Sequence, residues 1–343
     1  MKAAMYYGVG DVRIEDIPEP KAGPGDVIIK VESALTCGTD VKTYKRGHVL
    51  RRGRGPGVFG HECSGTVVEV GEGVTKFKVG DRVATHNSAT CNACYFCKRG
   101  QTSMCKSRVG LGGAFAQYVR IPAPIVEQNA FKMPDDLSFQ AAALLEPFAC
   151  AVYGADEANI QLGDIVVING AGPLGLMILR CAVLRGAHVI SCDMSDYRLE
   201  VARQLGAAET INVSRVEDQV KAVRDLTPDG RGVDVAIEAV GLPEVWEKTI
   251  LMARKGGTVV LFGGCKPGTT FTVDTELMHY SQLTLKGVFH TTQRHVEMAF
   301  DLICRRVITP EVFVTGQYPL DRVVDAIEAH ARQEGIKNEI KCW

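Results

Sequence analysis

Three groups of residues in this chain have the types and spacings that chemistry requires. The densest is "CNACYFCKRGQTSMC", from Cys91 through Cys94 and Cys97 to Cys105, a C-x2-C-x2-C-x7-C run. Four thiolates in one loop suit the closed tetrahedral site of a structural zinc, which leaves no position open for substrate. A ferredoxin-type iron–sulfur run starts in the same way but continues with a close fourth cysteine followed by proline. Here the fourth is Cys105, followed by Lys106, so zinc is favoured. The second group is dispersed: Cys37 in "TCGTD", His61 and Glu62 in "FGHEC", and Glu146 in "LLEPFAC". A cysteine, a histidine and a carboxylate can hold a catalytic zinc with one position left for water or substrate. Sequence distance alone does not bring them together, and a lone histidine after glycine otherwise reads as structural.

The third group is "INGAGPLGL", in which Gly170, Gly172 and Gly175 have G-x-G-x-x-G spacing. Gly170 permits a tight turn, Gly172 lets the backbone approach a pyrophosphate, and Gly175 lets a helix pack close to a strand. The helix start then faces the anion. Asp193 ends the next apolar segment and can accept hydrogen bonds from adenosine ribose hydroxyls, which favours NAD over NADP. Arg198 lies five residues on, where it could stack on the adenine or, as a cation, blunt that preference. The plain alternative is a glycine turn without nucleotide, with Asp193 as a helix cap.

These residues need a scaffold, and the patterning supplies two. The first third has alternating segments, "DVIIKVESAL", "ECSGTVVEVG" and "DRVATH", that read as strands separated by turn glycines. Near residue 141 the texture changes. "AAALLEPFACAVYGADEA" reads as one helix, and a strand–helix alternation follows. The run "IVVIN" is apolar throughout, as in a strand buried on both faces. Next come "LGLMILRCAVLRG", "HVISCD", "DYRLEVARQLG", "ETIN", "VEDQVKAVRDLT", "VDVAIEAV", "EVWEKTILMARKG", "TVVLFG" and "LTLKGVF". Alternation at this pitch predicts right-handed crossovers and a doubly wound parallel sheet. The tail, "VVDAIEAHARQEGIKNEIKCW", reads as a helix and a closing strand that return to the first domain.

Composition removes other classes. The chain has 343 residues, 46% hydrophobic, with a formal net charge of −1. Two domains are expected at this length. No basic field attracts nucleic acid or anionic lipid, and no apolar run is long enough to span a bilayer. The opening "MKAAMYYGVGDVRIEDIPEP" lacks the apolar stretch of a signal peptide, so a cytoplasmic protein is expected. In a reducing compartment, clustered cysteines more often bind metal than form disulfides.

In order along essentially the whole chain stand "GDVIIKV", "CGTD", "GHE", "GDRV", the four-cysteine lobe, "LEP" and "GAGPLGL". In these motifs the chain resembles the zinc-dependent medium-chain alcohol dehydrogenases, closest to the sorbitol (polyol) and threonine dehydrogenase branch. The resemblance implies an α/β protein: a GroES-like β-rich catalytic domain, residues 1–150 and 290–343, and a Rossmann coenzyme domain, residues 151–289. It implies two zinc ions per subunit and NAD as cofactors. Cys37 and His61 would ligate the catalytic zinc, with Glu62 or Glu146 as the carboxylate; Glu62 matches the polyol branch slightly better. Asp40 would orient His61, and Thr39 would hydrogen-bond the substrate hydroxyl and begin proton removal. Cys91, Cys94, Cys97 and Cys105 would hold structural zinc. Pro173, Leu174, Val240, Gly241 and Phe289 would join the three glycines, Asp193 and Arg198 around the coenzyme.

The implied reaction is hydride transfer from a secondary alcohol (a polyol, sugar alcohol or cyclitol) to NAD, giving a ketone, by a homotetramer or homodimer. Threonine 3-dehydrogenase-like oxidation is the runner-up. A non-catalytic dinucleotide-binding relative is a third reading, opposed by the presence of Cys37 and His61. One position departs from the pattern. Relatives often carry histidine five residues after the first ligand cysteine, as part of a proton relay, and this chain has Lys42. A lysine is already protonated at neutral pH and accepts protons poorly, so the relay would run through the ribose hydroxyls and water, or through another group such as His48. Tyr44, Arg51, Arg52 and Arg54 lie in the loop that the resemblance places near the substrate mouth, although a solvated loop explains them as well. His290 either lines the nicotinamide or substrate pocket or sits at a helix start.

Overall fold

The structure is a computed structural model that describes residues 1–47 and 55–343. His48, Arg51, Arg52 and Arg54 therefore lie outside the described residues. The chain divides into two compact units: residues Met1–Ala149 with Thr291–Trp343, and residues Cys150–His290.

The first unit is built on a sheet whose central strand, Val27–Leu35, is buried along nearly its whole length. Among the described residues the sheet runs Ala130–Lys132, Arg82–Thr85, Glu62–Val70, Val27–Leu35, Lys337–Lys341, Val314–Pro319, and Tyr118–Ile121 also pairs with the central strand. Its core gathers Val27, Ile29, Val31, Phe59, Phe115 and Ile121. Register decides what the sheet presents at one end. Leu35 is opposite Glu62 on one side and Glu339 on the other, and Ala34 is opposite Cys63 and Ile340. The ends of three strands that are far apart in sequence thus meet: Cys37 follows one, His61 and Glu62 open another, and Lys337 begins the third. The backbone of Thr36 is tied to Asn338 by a bond from its own N–H (2.9 Å), and Thr36 Oγ1 accepts from the Asn338 N–H (3.0 Å).

The second unit holds a six-stranded sheet, all parallel, in the order Glu209–Asn212, His188–Asp193, Ile165–Asn169, Val233–Glu238, Ala253–Leu261, Thr284–Gly287. The alternating segments from "IVVIN" onward form this doubly wound sheet and the helices between its strands.

Two helices differ from the expectation. The single helix over "AAALLEPFACAVYGADEA" is two, Phe139–Ala143 and Leu145–Glu157. Pro147 has no N–H to bond back into the preceding turn, so the second helix restarts with proline in its first turn. The helix over "EVWEKTILMARKG" ends at Met252, where Ala253 enters the sheet opposite Val233. Between Ala253 and Thr258 the register shifts, and Gly256 (φ 73°) absorbs the irregularity. Strand pairing has overridden local helix preference there. No helix among the described residues is long and apolar enough to cross a membrane.

Candidate active site

Cys37 is the N-cap of the helix Gly38–Arg46, and its position follows from a capping box. The Thr39 N–H donates to Cys37 Sγ (3.4 Å), while Asp40 Oδ2 accepts from the Cys37 N–H (2.9 Å). The other Asp40 oxygen, Oδ1, is 3.0 Å from His61 Nδ1. One buried carboxylate therefore fixes both the cysteine and the histidine. Since a carboxylate only accepts, Nδ1 carries a hydrogen, and Nε2 is the nitrogen that a metal would take once it displaces any proton there. Burial opposes charge on His61, but Asp40 and the Cys37 thiol raise its pKa well above the ordinary value. Ligand atoms of Cys37, His61 and Glu62 all lie within 4.8 Å of one another. A soft sulfur, an imidazole nitrogen and a carboxylate oxygen so close together are a donor set that fits zinc.

Glu62 is held by a residue that spacing did not reveal. Lys337 Nζ donates to Glu62 Oε1 (3.0 Å) and lies 2.7 Å from Oε2, and both side chains are fully buried. Burial pushes the Glu62 pKa up to about 7, with Lys337 pulling the other way. Lys337 loses charge stability to burial, yet Glu62 holds its pKa above the ordinary lysine value. Glu146 is also buried; the Asn87 amide donates to its Oε1 (2.7 Å), and His86 Nε2 is 4.0 Å from the same oxygen. Lys337, Asn87 and His86 carry no motif spacing. The one available signal was a lysine in the otherwise buried closing strand, and it points nowhere until the sheet register is known.

In the cysteine lobe, the Sγ atoms of Cys94 and Cys97 are 3.5 Å apart, as are those of Cys91 and Cys105. A tetrahedron with bonds of ~2.3 Å has edges of roughly 3.8 Å, so the four thiols fit one zinc. Backbone N–H groups point at two of the sulfurs: the Cys94 N–H donates to Cys91 Sγ (3.4 Å) and the Cys91 N–H to Cys105 Sγ (3.3 Å). The Cys94 pKa falls to about 6, chiefly through the Cys97 N–H, while burial lifts Cys97 to about 12. Among the described residues no cysteine is in a disulfide.

In the second unit the glycines divide their work. Gly170 has φ 102°, and a Cβ there would meet Val240 Cγ2 at 2.8 Å; one on Gly175 would lie 1.8 Å from the Gly170 carbonyl oxygen. Gly172 caps the helix Pro173–Leu184, and a Cβ there would meet only an Arg198 nitrogen, at 3.8 Å. This open surface over a helix start, with half-buried Pro173 and Leu174 following, fits the pyrophosphate of a dinucleotide. Asp193 braces the turn: its Oδ2 accepts from the Ala171 N–H (2.7 Å) and its Oδ1 from the Ser195 N–H (2.9 Å). Arg198 is 5% exposed, so it lines the turn from inside, and burial lowers its pKa. Val240 and Gly241 form a second turn, held by the fully buried Glu238, whose Oε1 accepts from both N–H groups (2.8 and 2.7 Å). Glu238 is another bracing residue that sequence reasoning missed.

The remaining candidates are scattered. Thr39 is half-buried beside Cys37, and Tyr44 packs against the first unit's core. Phe289 is exposed, and His290 takes a left-handed backbone conformation (φ 65°) at the end of the second unit.

Comparison with known proteins places the chain among dehydrogenases. Residues 23–135 match the alcohol dehydrogenase GroES-like domain, and residues 173–305 match the zinc-binding dehydrogenase family. The sorbitol dehydrogenase of Bacillus subtilis (strain 168) is 33% identical, over 99% of this chain and 95% of its own. The L-threonine 3-dehydrogenase of Pseudoalteromonas translucida (strain TAC 125) is 34% identical over 89% of each chain. Among solved structures, the 2R,3R-butanediol dehydrogenase from Bacillus subtilis is 30% identical over 99% of both chains, with a TM-score of 0.88. A chain from Sinorhizobium meliloti 1021, solved with NADP bound, is 29% identical over 99% of this chain and 98% of its own, with a TM-score of 0.91.

Proposed function

The chain belongs to the zinc-dependent medium-chain alcohol dehydrogenase family, and we propose that it oxidises a secondary alcohol of a polyol, sugar alcohol or cyclitol to the ketone, with NAD as the hydride acceptor. The observation that carries this reading is the convergence of Cys37, His61 and Glu62 within 4.8 Å, with Asp40 behind His61. When bound, zinc polarises an alcohol oxygen as a Lewis acid, and the nicotinamide accepts hydride. Cys37 and His61 would hold the metal, with Glu62 or Glu146 as the carboxylate. Asp40 holds His61 by Nδ1 and so keeps Nε2 aimed at the metal position. Thr39 accepts a hydrogen bond from the substrate hydroxyl and passes its proton outward to water, since Lys42 stands where an acceptor would be needed. Cys91, Cys94, Cys97 and Cys105 would take no part in the chemistry and would hold their lobe around a second zinc.

Gly170, Gly172, Pro173, Leu174, Gly175, Arg198, Val240, Gly241 and Phe289 would form the coenzyme surface. Asp193 supports NAD over NADP, because its carboxylate would repel a 2′-phosphate. The NADP-bound relative makes NADP the alternative. L-Threonine is the second substrate reading, favoured by relatives that bear that activity in their names. A homotetramer or homodimer is the proposed assembly.

Nicotinamide reduction, followed over polyols, cyclitols, L-threonine and simple secondary alcohols with each coenzyme, tests the proposal. The highest kcat/KM is expected for a polyol or cyclitol with NAD. L-Threonine in first place would transfer the function to the runner-up. Coenzyme binding without turnover of any alcohol would sink the enzyme reading.

A further inference from the structure

We propose that Asn169 is a positioning residue that joins the glycine turn, Gly170–Gly175, to the second turn, Val240–Gly241, so that both present one surface to the coenzyme; this rests on the dinucleotide reading above. Asn169 ends the strand Ile165–Asn169 and immediately precedes Gly170. It is 1% exposed. Its side chain follows Val167 on the same face of the strand, into an apolar layer that Ile190, Ile250 and Met252 also fill. An amide buried there must find its partners within the protein. Gln219, half-buried, donates from Nε2 to Asn169 Oδ1 (2.7 Å). Asn169 Nδ2 donates to Thr249 Oγ1 (2.7 Å) and to Met252 Sδ (3.3 Å). Thr249 is fully buried, and its hydroxyl donates onward to the Val245 carbonyl oxygen (2.6 Å).

Main-chain bonds complete the junction. The Asn169 carbonyl oxygen accepts from the N–H of Ala239, the residue before Val240 (2.8 Å), and the Gly170 N–H donates to the Cys192 carbonyl oxygen (2.8 Å). The side-chain bonds then reach the helix Pro243–Met252, which the Val240–Gly241 turn leads into, and end in its first turn at Val245. The two turns abut: a Cβ on Gly170 would meet Val240 Cγ2 at 2.8 Å. A small rotation of either one therefore changes the surface that they share. Stability alone does not account for the network, because apolar side chains of similar shape would fill the layer without desolvating an amide and a hydroxyl. A satisfied buried network adds a single, rigid arrangement, and Asn169 places that arrangement at the two turns.

The full-length protein tests this through dissociation constants for NAD and for ADP-ribose, which keeps the pyrophosphate and lacks the nicotinamide, set beside denaturant midpoints. Asn169→Leu is expected to weaken both ligands by about tenfold, with KM for NAD rising by more than kcat falls. Thr249→Val removes only the hydroxyl that Asn169 donates to, and should weaken both by about fivefold. Thr249→Ser keeps that hydroxyl and should bind both as wild type does. The triple variant Asn169→Leu, Gln219→Leu, Thr249→Val strands no member of the network, so it should unfold near the wild-type midpoint and still bind weakly. A triple variant with wild-type affinity overturns the proposal, because the losses in the single variants would then report stranded groups and not the turns. So does a folded Asn169→Leu or Thr249→Val protein with wild-type affinity for both ligands. Thr249→Val alters the least and decides the matter if the other variants do not fold. Wild-type protein that binds neither NAD, NADP nor ADP-ribose would instead refute the dinucleotide reading, and this inference with it.

Discussion

Asp40 does two jobs with one carboxylate, capping the helix that carries Cys37 and orienting His61. Asp40→Asn keeps the shape but replaces the His61-facing acceptor with an uncharged group. Partners of this kind typically change metal affinity or activity by 10- to 100-fold, roughly. Loss of about that size is expected in zinc affinity at the Cys37 site, measured by chelator competition, with the four-cysteine zinc unaffected. Equal affinities would mean that Asp40 is only a cap. The glycines give a sharper contrast. Gly172→Ala meets only an ordinary contact with Arg198, at 3.8 Å, so folding should be unchanged while KM for NAD rises about tenfold or more, because a methyl group now sits where the pyrophosphate approaches. Gly175→Ala would place its Cβ 1.8 Å from the Gly170 carbonyl oxygen, and should lower the thermal midpoint as well as coenzyme binding. If both variants melt alike and bind NAD alike, the assignment of roles within the turn fails.

Elements are positioned by side chains that local sequence does not advertise. Asp234 pins three strands at once: its Oδ2 accepts from the Ile165 N–H (2.8 Å) and its Oδ1 from Arg254 Nε (2.5 Å). Burial raises its pKa, but the Ile165 N–H and Arg254 outweigh burial and hold it below the ordinary carboxylate value. Its contribution is therefore complete above the unfolded-state pKa of about 4 and is lost as pH falls through the lower folded-state value. Asp234→Ala should cost about 2 kcal/mol at neutral pH in denaturant unfolding. The gap from wild type should close below pH ~4; a gap that stays constant across that range would contradict the ion-pair account. At this scale the sequence was readable where periodicity and turn glycines agree, as in "IVVIN" followed by "GAGPLG". It was not readable at Ala253, where cross-strand pairing to Val233 ended a helix early, or at Leu144, where a missing proline N–H split one.

Across the whole molecule, the residues with motif spacing were legible and their partners were not. Cys37, His61 and Glu62 could be named because "CGTD" and "GHE" are short local signals. Lys337, Asn87 and Glu238 could not, because each acts across a distance that only strand register or a loop closes. The same contrast separates the two candidate metal sites. The cysteine lobe closes four thiols on themselves within fifteen residues of chain, whereas the Cys37 group draws its donors from separate parts of the sheet. The two sites should therefore fail differently. Cys94→Ser should lower the thermal midpoint and lose the lobe's zinc, with any loss of turnover following from instability.

Zinc content and alcohol-dependent NAD reduction, measured together on wild type and Cys37→Ser, test the central claim most directly. The account predicts two zinc ions per wild-type chain, one in Cys37→Ser with the lobe still loaded, and turnover reduced by about a thousandfold or more, as expected when the group that polarises the substrate is lost. A Cys37→Ser protein that keeps both metals, or that loses one and still turns over at the wild-type rate, would contradict it.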